Sequence, residues 1–158
     1  EFFKYISTDK RHIFAEEIGK HLRHLNDAQQ LNWWDRWLKD YLKDRIQGVP
    51  KPLVPAEIEK MLNWLPNMQT IFGEAVELVI QMQNYPLQYS RLIYDIRKKD
   101  LLQSNPEEVG KLLLFIGNSG SPSRIFRGIR EIVNTLVQRG ISPKTENSLK
   151  ELLVKLGY

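Results

Sequence analysis

The stretch NWWDRWLKDYLKDRIQGVPKPL, from Asn32 to Leu53, has three tryptophans within five residues and then a glycine and two prolines. Its apolar positions recur three and four residues apart, as on one side of a helix. The positions on this side are Leu31, just before the stretch, then Trp34, Leu38, Tyr41 and Leu42, and the charged Arg45. Trp33 and Trp37 fall on a neighbouring face. Gly48 stands where a left-handed residue commonly ends a helix, and the prolines prevent continuation. The stretch therefore predicts a helix packed against more than one neighbour.

The tryptophans could also form a cage for a cation or a platform for bases. A cage needs two or three converging rings. Adjacent residues on a helix point about 100° apart, so Trp33 and Trp34 diverge, although Trp33 and Trp37 could flank a pocket. The charged residues between them suit pairs four apart, such as Asp35 with Lys39. Anchoring in the core is the favoured interpretation.

Arg45 falls on the apolar side of this helix, one turn beyond Tyr41. A guanidinium at such a position is expected to be buried or to bridge two elements, and a buried charge requires a partner. We therefore predict a structural ion pair with Glu57 or Glu59, just across the proline-containing loop.

Helix start and stop signals continue on both sides of this stretch. The predicted helices cover approximately residues 10–25, 28–46, 55–65, 71–82, 88–99, 106–116, 125–139 and 143–156. Strand patterns do not compete with them. The sequence predicts a single all-α domain over residues 1–158, with about eight helices in antiparallel pairs that form an irregular HEAT-like stack.

Composition excludes several chemistries. The 158-residue chain has no cysteine, which rules out disulfides, thiolate zinc sites and iron–sulfur clusters. His21 and His24 lie three apart and could share a metal with Glu17 or Asp27, but no HExxH motif accompanies them. Acidic pairs diverge on their helices, and no nucleophile has an oriented base. We predict no catalytic, cofactor or metal site, and so no enzyme.

Two features could bind anions. GNSGSPSR, from residue 117, has the glycines of a phosphate loop but lacks its motif and a preceding strand, which favours a mobile connection. A basic surface could contact phosphates or nucleic acid, although a solvated helix face is the favoured interpretation. Its members are Arg97, Lys98, Lys99, Arg124, Arg127 and Arg130. The net charge of +4 permits an anionic partner without requiring one.

The blocks WWDRWLKDYLKDRIQGVPKPL, EIEKMLNWLPNM, IFGEAVELVIQM, SRLIYDIRKKDLLQSNPEEVGKLLLFIGN and SLKELLVKLGY together resemble a bacterial helical domain of unknown function. That domain lies at the carboxyl end of large proteins, often behind a sirtuin-like domain. The resemblance covers residues 31–158 and leaves out 1–30. It implies a place in antiphage proteins in which the sirtuin-like part consumes NAD and the helical part senses or assembles. It assigns no site residue.

These observations predict a non-catalytic module that binds a protein or regulates a neighbouring domain of the same polypeptide. A nucleic-acid-binding module that uses the basic surface is the alternative. No apolar run approaches the roughly 18 residues of a membrane span, and a chain without cysteine suits the cytoplasm. The chain begins with Glu1 rather than methionine, which favours a piece of a longer protein.

Overall fold

The computed structural model describes residues 10–82, 90–118 and 128–158. Every regular element within these ranges is helical, which confirms the predicted all-α class. The chain divides into two compact units, Glu1–Gln83 and Asn84–Tyr158. The HEAT-like arrangement and the single domain stay predictions.

The first unit is built from helices and short helical turns. These are α1 (Arg11–Leu22), α2 (Asp27–Trp33), a π-helical turn (Trp34–Leu38), α3 (Lys39–Ile46), α4 (Pro55–Leu62), 3₁₀ turns at Leu65–Asn67 and Gln69–Ile71, and α5 (Phe72–Val79). Three helix boundaries agree with signals in the sequence, whereas α1 ends at Leu22 instead of residue 25 and α5 ends at Val79 instead of residue 82. Asn26 caps α2 through a capping box with Gln29, and Gly48 follows α3 with a φ of 76°. Pro55 is the first residue of α4.

The core of the first unit centres on two fully buried indoles. Trp34 comes from the π-helical turn, and Trp64 lies between α4 and the 3₁₀ turn at Leu65–Asn67. The Trp64 indole N–H donates to the Ala15 carbonyl at 2.7 Å. Gly19 makes this approach possible, because a Cβ there would lie 3.0 Å from the Trp64 ring. The helix that carries the tryptophans therefore belongs to the interior on its main face.

Leu31, which the sequence predicts on the buried side of its helix, is exposed, and so is Ile13, an apolar residue of α1. Ile13 is 50% exposed and Leu31 is 43% exposed. The buried residues of α1 are Arg11, Ala15, Ile18 and Leu22. Ile13 lies two residues from both Arg11 and Ala15, and it therefore points away from this face. In α2 the buried residue is Gln30 and not Leu31. Gln30, Trp34 and Leu38 are all buried, and each lies four residues before the next. The Gln30 amide donates to the carbonyls of Leu22, Leu25 and Asn67.

The second unit contains the remaining described helices. These are α6 (Ser90–Lys98), α7 (Leu101–Ser104), α8 (Pro106–Gly117), α9 (Ile129–Gln138) and α10 (Pro143–Lys155). The predicted starts at Pro106 and at Ser142 with Pro143 are confirmed, and the Ser142 side chain caps α10. Within the described ranges, no helix is both long and apolar enough to cross a membrane.

Helices α8 and α10 approach closely along a seam of small residues. A Cβ on Gly110 would lie 2.8 Å from the Thr145 methyl group, and one on Gly117 would overlap Leu152. At one end of the seam Glu107 accepts hydrogen bonds from the backbone and the hydroxyl of Ser142, at 2.8 and 2.9 Å. It also accepts the Thr145 hydroxyl at 2.5 Å. One carboxylate thus joins the first turn of α8 to the first turn of α10.

Candidate interaction surface at the π-helical turn

The π-helical turn lies inside one continuous helix from Asp27 to Ile46. Its defining hydrogen bond runs from the Lys39 N–H to the Trp34 carbonyl, five residues back. Four residues of an α-helix advance about 40° beyond one full turn. A wider turn reduces this offset, which fits the complete burial of both Trp34 and Leu38. Single π-helical turns within α-helices often mark functional sites.

The same turn organises a row of rings, which we call the aromatic row: His21, Trp33, Trp37, Tyr41 and Trp64. Successive ring centroids lie 6.3, 5.1, 6.3 and 6.4 Å apart. The row begins at the exposed His21, passes the half-buried Trp33 and Trp37, and ends at the buried Trp64. It therefore extends from the protein surface into the core of the first unit.

The aromatic row decides between the interpretations of the tryptophans. Core anchoring is confirmed for Trp34 and Trp64, which are fully buried. Trp33 and Trp37 contact each other at 5.1 Å with a tilt of 54°. Because these two rings touch, they do not flank a pocket for a cation between them. They present edges and faces at a half-exposed surface instead.

Ionic contacts fix the turn against α5. Lys39 pairs with Glu74, in the first turn of α5, rather than with the predicted partner Asp35. The hydrogen bond from Lys39 lowers the pKa of Glu74, and the Trp34 indole acts in the same direction. The predicted pair four residues apart is wrong because a carboxylate from another helix lies closer. This contact is a partly exposed ion pair that joins the end of the π-helical turn to the first turn of α5.

Arg45 and Glu57 form the ion pair predicted from the sequence. Nε and Nη2 of Arg45 donate to the two carboxylate oxygens of Glu57 at 2.6 and 2.8 Å. Nη1 donates to the carbonyls of Val49 and Lys51. Burial raises the pKa of Tyr41 nearby, and the charge of Glu57 adds to that shift. The pair therefore clamps the proline-containing loop to the end of α3.

The histidines do not meet a set of metal ligands. In residues 10–82, 90–118 and 128–158, no group of three or more His, Asp or Glu could hold a metal ion. His21 lies against the Trp33 ring, and Glu17 forms an ion pair with Lys20 at 2.7 Å. His21 thus contacts an aromatic ring, while the carboxylate of Glu17 accepts a hydrogen bond from Lys20.

The basic surface is only partly assembled by the described residues. Arg97, Lys98 and Lys99 are exposed at the end of α6. The side chain of Arg97 pairs with Glu131, in the first turn of α9, at 3.8 Å. Arg130 lies over the Tyr158 ring at 5.2 Å. The predicted members Arg124 and Arg127, and most of the GNSGSPSR loop, lie outside the described residues.

Sequence reasoning missed three features of these sites: the π-helical turn, the buried Gln30 and the buried Arg11. The four-residue steps through positions 30, 34 and 38 were the available signal for the first two. For Arg11, the signal was its place four before Ala15 and seven before Ile18, on the apolar side of α1.

Comparison with known proteins places the chain in a family. A family model described as Domain of unknown function (DUF4020) matches residues 4–153. No curated protein and no solved structure matches the chain. The match begins before residue 31 and so includes α1, which the resemblance in the sequence left out. Since the match spans most of the 158 residues, the chain belongs to the DUF4020 family.

Proposed function

We propose that the domain is a non-catalytic helical module that binds a protein partner, and that the partner is a neighbouring domain of the same polypeptide. The surface of contact is the outer end of the aromatic row, formed by His21, Trp33 and Trp37. The single observation that carries the proposal is the π-helical turn, which places two half-buried indoles beside an exposed imidazole.

Three physical arguments support this surface. Tryptophan is enriched among the residues that contribute most to protein–protein binding. Half-buried rings are already held by their neighbours, so binding costs little side-chain entropy. Exposed charged residues lie within four positions of these rings in the sequence, among them Glu17, Lys20, Arg36 and Asp40, and a polar rim is typical of an interface.

The resemblance noted in the sequence supplies the identity of the proposed partner. A bacterial helical domain behind a sirtuin-like domain would regulate or assemble that domain, in the cytoplasm and as part of an antiphage protein. The helical module would contribute recognition, and the neighbouring domain would contribute any NAD chemistry.

The nucleic-acid alternative has weaker support. A phosphate-binding surface needs cations available to the backbone of the nucleic acid. Arg97 pairs with Glu131, and Arg130 lies on Tyr158. Lys98 and Lys99 remain exposed, and their contribution would appear as binding that falls steeply with salt.

The test measures association between this domain and the separately produced remainder of its polypeptide, by calorimetry. Trp33→Ala should weaken binding by about 30-fold, which corresponds to the roughly 2 kcal/mol of an interface hot spot. The matched control is Tyr94→Ala, which removes an exposed ring (63%) from the second unit and should leave affinity unchanged. Equal affinity of wild type and Trp33→Ala would refute the proposed surface.

A further inference from the structure

Arg11 is a buried cation in which two of the three guanidinium nitrogens have no hydrogen-bond partner. It is the first residue of α1 and only 4% exposed. Its Nε and Nη1 atoms are buried and meet no acceptor. Arginine stays protonated in proteins, so it cannot relieve this burial by losing its charge. A buried charge is strongly unfavourable unless an opposite charge or several acceptors accompany it.

A second guanidinium lies near Arg11. The charges of Arg11, Arg45 and Glu57 all act on the Tyr41 phenol, which places the three side chains in one neighbourhood. Both carboxylate oxygens of Glu57 already accept hydrogen bonds from Arg45. Glu57 therefore supplies no acceptor to Nε or Nη1 of Arg11.

Among the described residues, the start of α1 offers no negative charge to Arg11. Its first turn contains no acidic residue, and its first residues carry no side-chain cap. Lys10 and His12 flank Arg11 in the sequence. Cations at a helix N-terminus also oppose the helix dipole, which favours anions there. An anion would therefore be stabilised by the guanidinium and by the helix together.

We propose that Arg11 anchors a binding site for an oxyanion group, a carboxylate or a phosphate carried by a small ligand. The two unpartnered nitrogens can donate to two oxygens of such a group, the bidentate geometry for which arginine is suited. This site uses none of the residues of the proposed contact surface, His21, Trp33 and Trp37, and does not depend on the proposed protein partner.

The test titrates the 158-residue chain with inorganic phosphate and, separately, with acetate, at constant ionic strength set by chloride. Calorimetry measures affinity, and thermal unfolding measures Tm, which rises when a ligand binds the folded state. Arg11→Met should reduce affinity at least tenfold and abolish the rise in Tm. Arg11→Lys keeps the charge but not the paired donors, so its affinity should lie between those of wild type and Arg11→Met. Arg23→Met, an exposed arginine at the other end of α1, is the matched control and should bind as wild type does.

Two results would overturn the proposal. The first is binding of neither anion by the wild type. The second is equal binding by wild type and Arg11→Met, which would assign the anion to surface cations such as Lys98 and Lys99. A further arm replaces the only carboxylates of residues 1–9, Glu1 and Asp9, with Gln and Asn. If anions bind only after that replacement, the native counter-ion is internal and the site is not a ligand site. The relative affinities for phosphate and acetate identify the group that the site prefers.

Discussion

The Arg45 guanidinium and the Glu57 carboxylate are both buried and share two hydrogen bonds. Replacing Glu57 with Gln leaves the buried cation without a counter-charge. We expect Glu57→Gln to lower the free energy of unfolding by about 3–5 kcal/mol. Urea denaturation at pH 7 measures the change. Glu59→Gln, the other carboxylate that the sequence offered, should change stability by no more than about 0.5 kcal/mol. Equal losses in both variants would contradict the assignment.

Glu107 makes stability depend on pH. Partial burial works to raise its pKa, but hydrogen bonds from Thr145 and Ser142 outweigh burial and lower the pKa below its ordinary value of 4.5. The folded state therefore binds this proton less readily than the unfolded state. The resulting stabilisation is fully present above the ordinary pKa and is lost as pH falls through the lowered one.

We expect Glu107→Gln to cost about 1–2 kcal/mol at pH 7, since it removes a charged acceptor from a helix cap. The cost should shrink as pH falls below the ordinary pKa of 4.5 and through the lowered pKa of the folded state, because the wild-type carboxylate then also becomes protonated. Urea denaturation of wild type and Glu107→Gln at a series of pH values from about 3 to 7 gives the difference in the free energy of unfolding at each pH. Glu108→Gln is the control. A difference that does not vary with pH would show that Glu107 acts without its charge.

At the residue scale, some contacts could be predicted from the sequence and others could not. The pair of Arg45 and Glu57 could be predicted because a cation interrupts an apolar stripe and a carboxylate follows across a short loop. Glu107 lies 35 residues before Ser142 and 38 before Thr145, so its contacts leave no local pattern. Residues this far apart meet only through the packing of α8 on α10.

Gly110 tests the seam between two elements. In a helix interior, Gly→Ala usually stabilises by about 1 kcal/mol. Here the added Cβ would lie 2.8 Å from the Thr145 methyl group, and Thr145 is held by its hydrogen bond to Glu107. We therefore expect Gly110→Ala to destabilise by about 1–3 kcal/mol in thermal unfolding.

The companion variant Thr145→Ser isolates the cause of that loss. Serine removes the methyl group and keeps the hydroxyl that Glu107 accepts. Gly110→Ala combined with Thr145→Ser should recover most of the stability that Gly110→Ala alone loses. If the double variant is as unstable as the single one, the close approach of the two helices is not the reason.

The π-helical turn separates two neighbouring indoles by role. Trp34 is fully buried, whereas Trp33 is half-buried. Trp34→Ala should cost about 3–5 kcal/mol because it leaves a cavity. Trp33→Ala should cost only about 1 kcal/mol, a typical value for a partly exposed position. Urea denaturation of both variants measures the contrast, and equal costs would mean that Trp33 is also a core residue.

The π-helical turn could not be predicted from the spacing of apolar residues. A spacing of four fits both an α-helix and a π-helical turn, so the sequence correctly predicts the helix but not its widened part. The incorrect burial of Leu31 follows directly from extending a regular α-helix backwards from Trp34. Gln30 was overlooked because a polar residue is usually exposed.

Across the whole molecule, the helical class and most helix ends follow from local chemistry. Gly48 with its positive φ and Pro55 at a helix start act through their own backbone, so their effect can be predicted without a fold. The pairing of helices depends on distant residues such as Gly110 with Thr145. The antiparallel HEAT-like stack therefore stays a prediction, and so does the single domain.

The two compact units make the single domain testable. All four tryptophans, at positions 33, 34, 37 and 64, belong to the first unit, so tryptophan fluorescence reports its unfolding alone. Far-UV circular dichroism reports the helices of both units. If each unit unfolds independently, the two probes give different urea midpoints; if the chain is one cooperative domain, they coincide.

Variants placed in each unit sharpen the distinction. We expect independent unfolding, since each unit has its own buried core. Glu57→Gln, in the first unit, should then shift the urea midpoint measured by fluorescence. Gly110→Ala, in the second unit, should leave that midpoint unchanged and shift only the circular dichroism change that comes from the second unit. A shared shift of both probes by either variant would instead mean that the cores unfold together, because a cooperative unit loses all of its structure whichever contact is weakened.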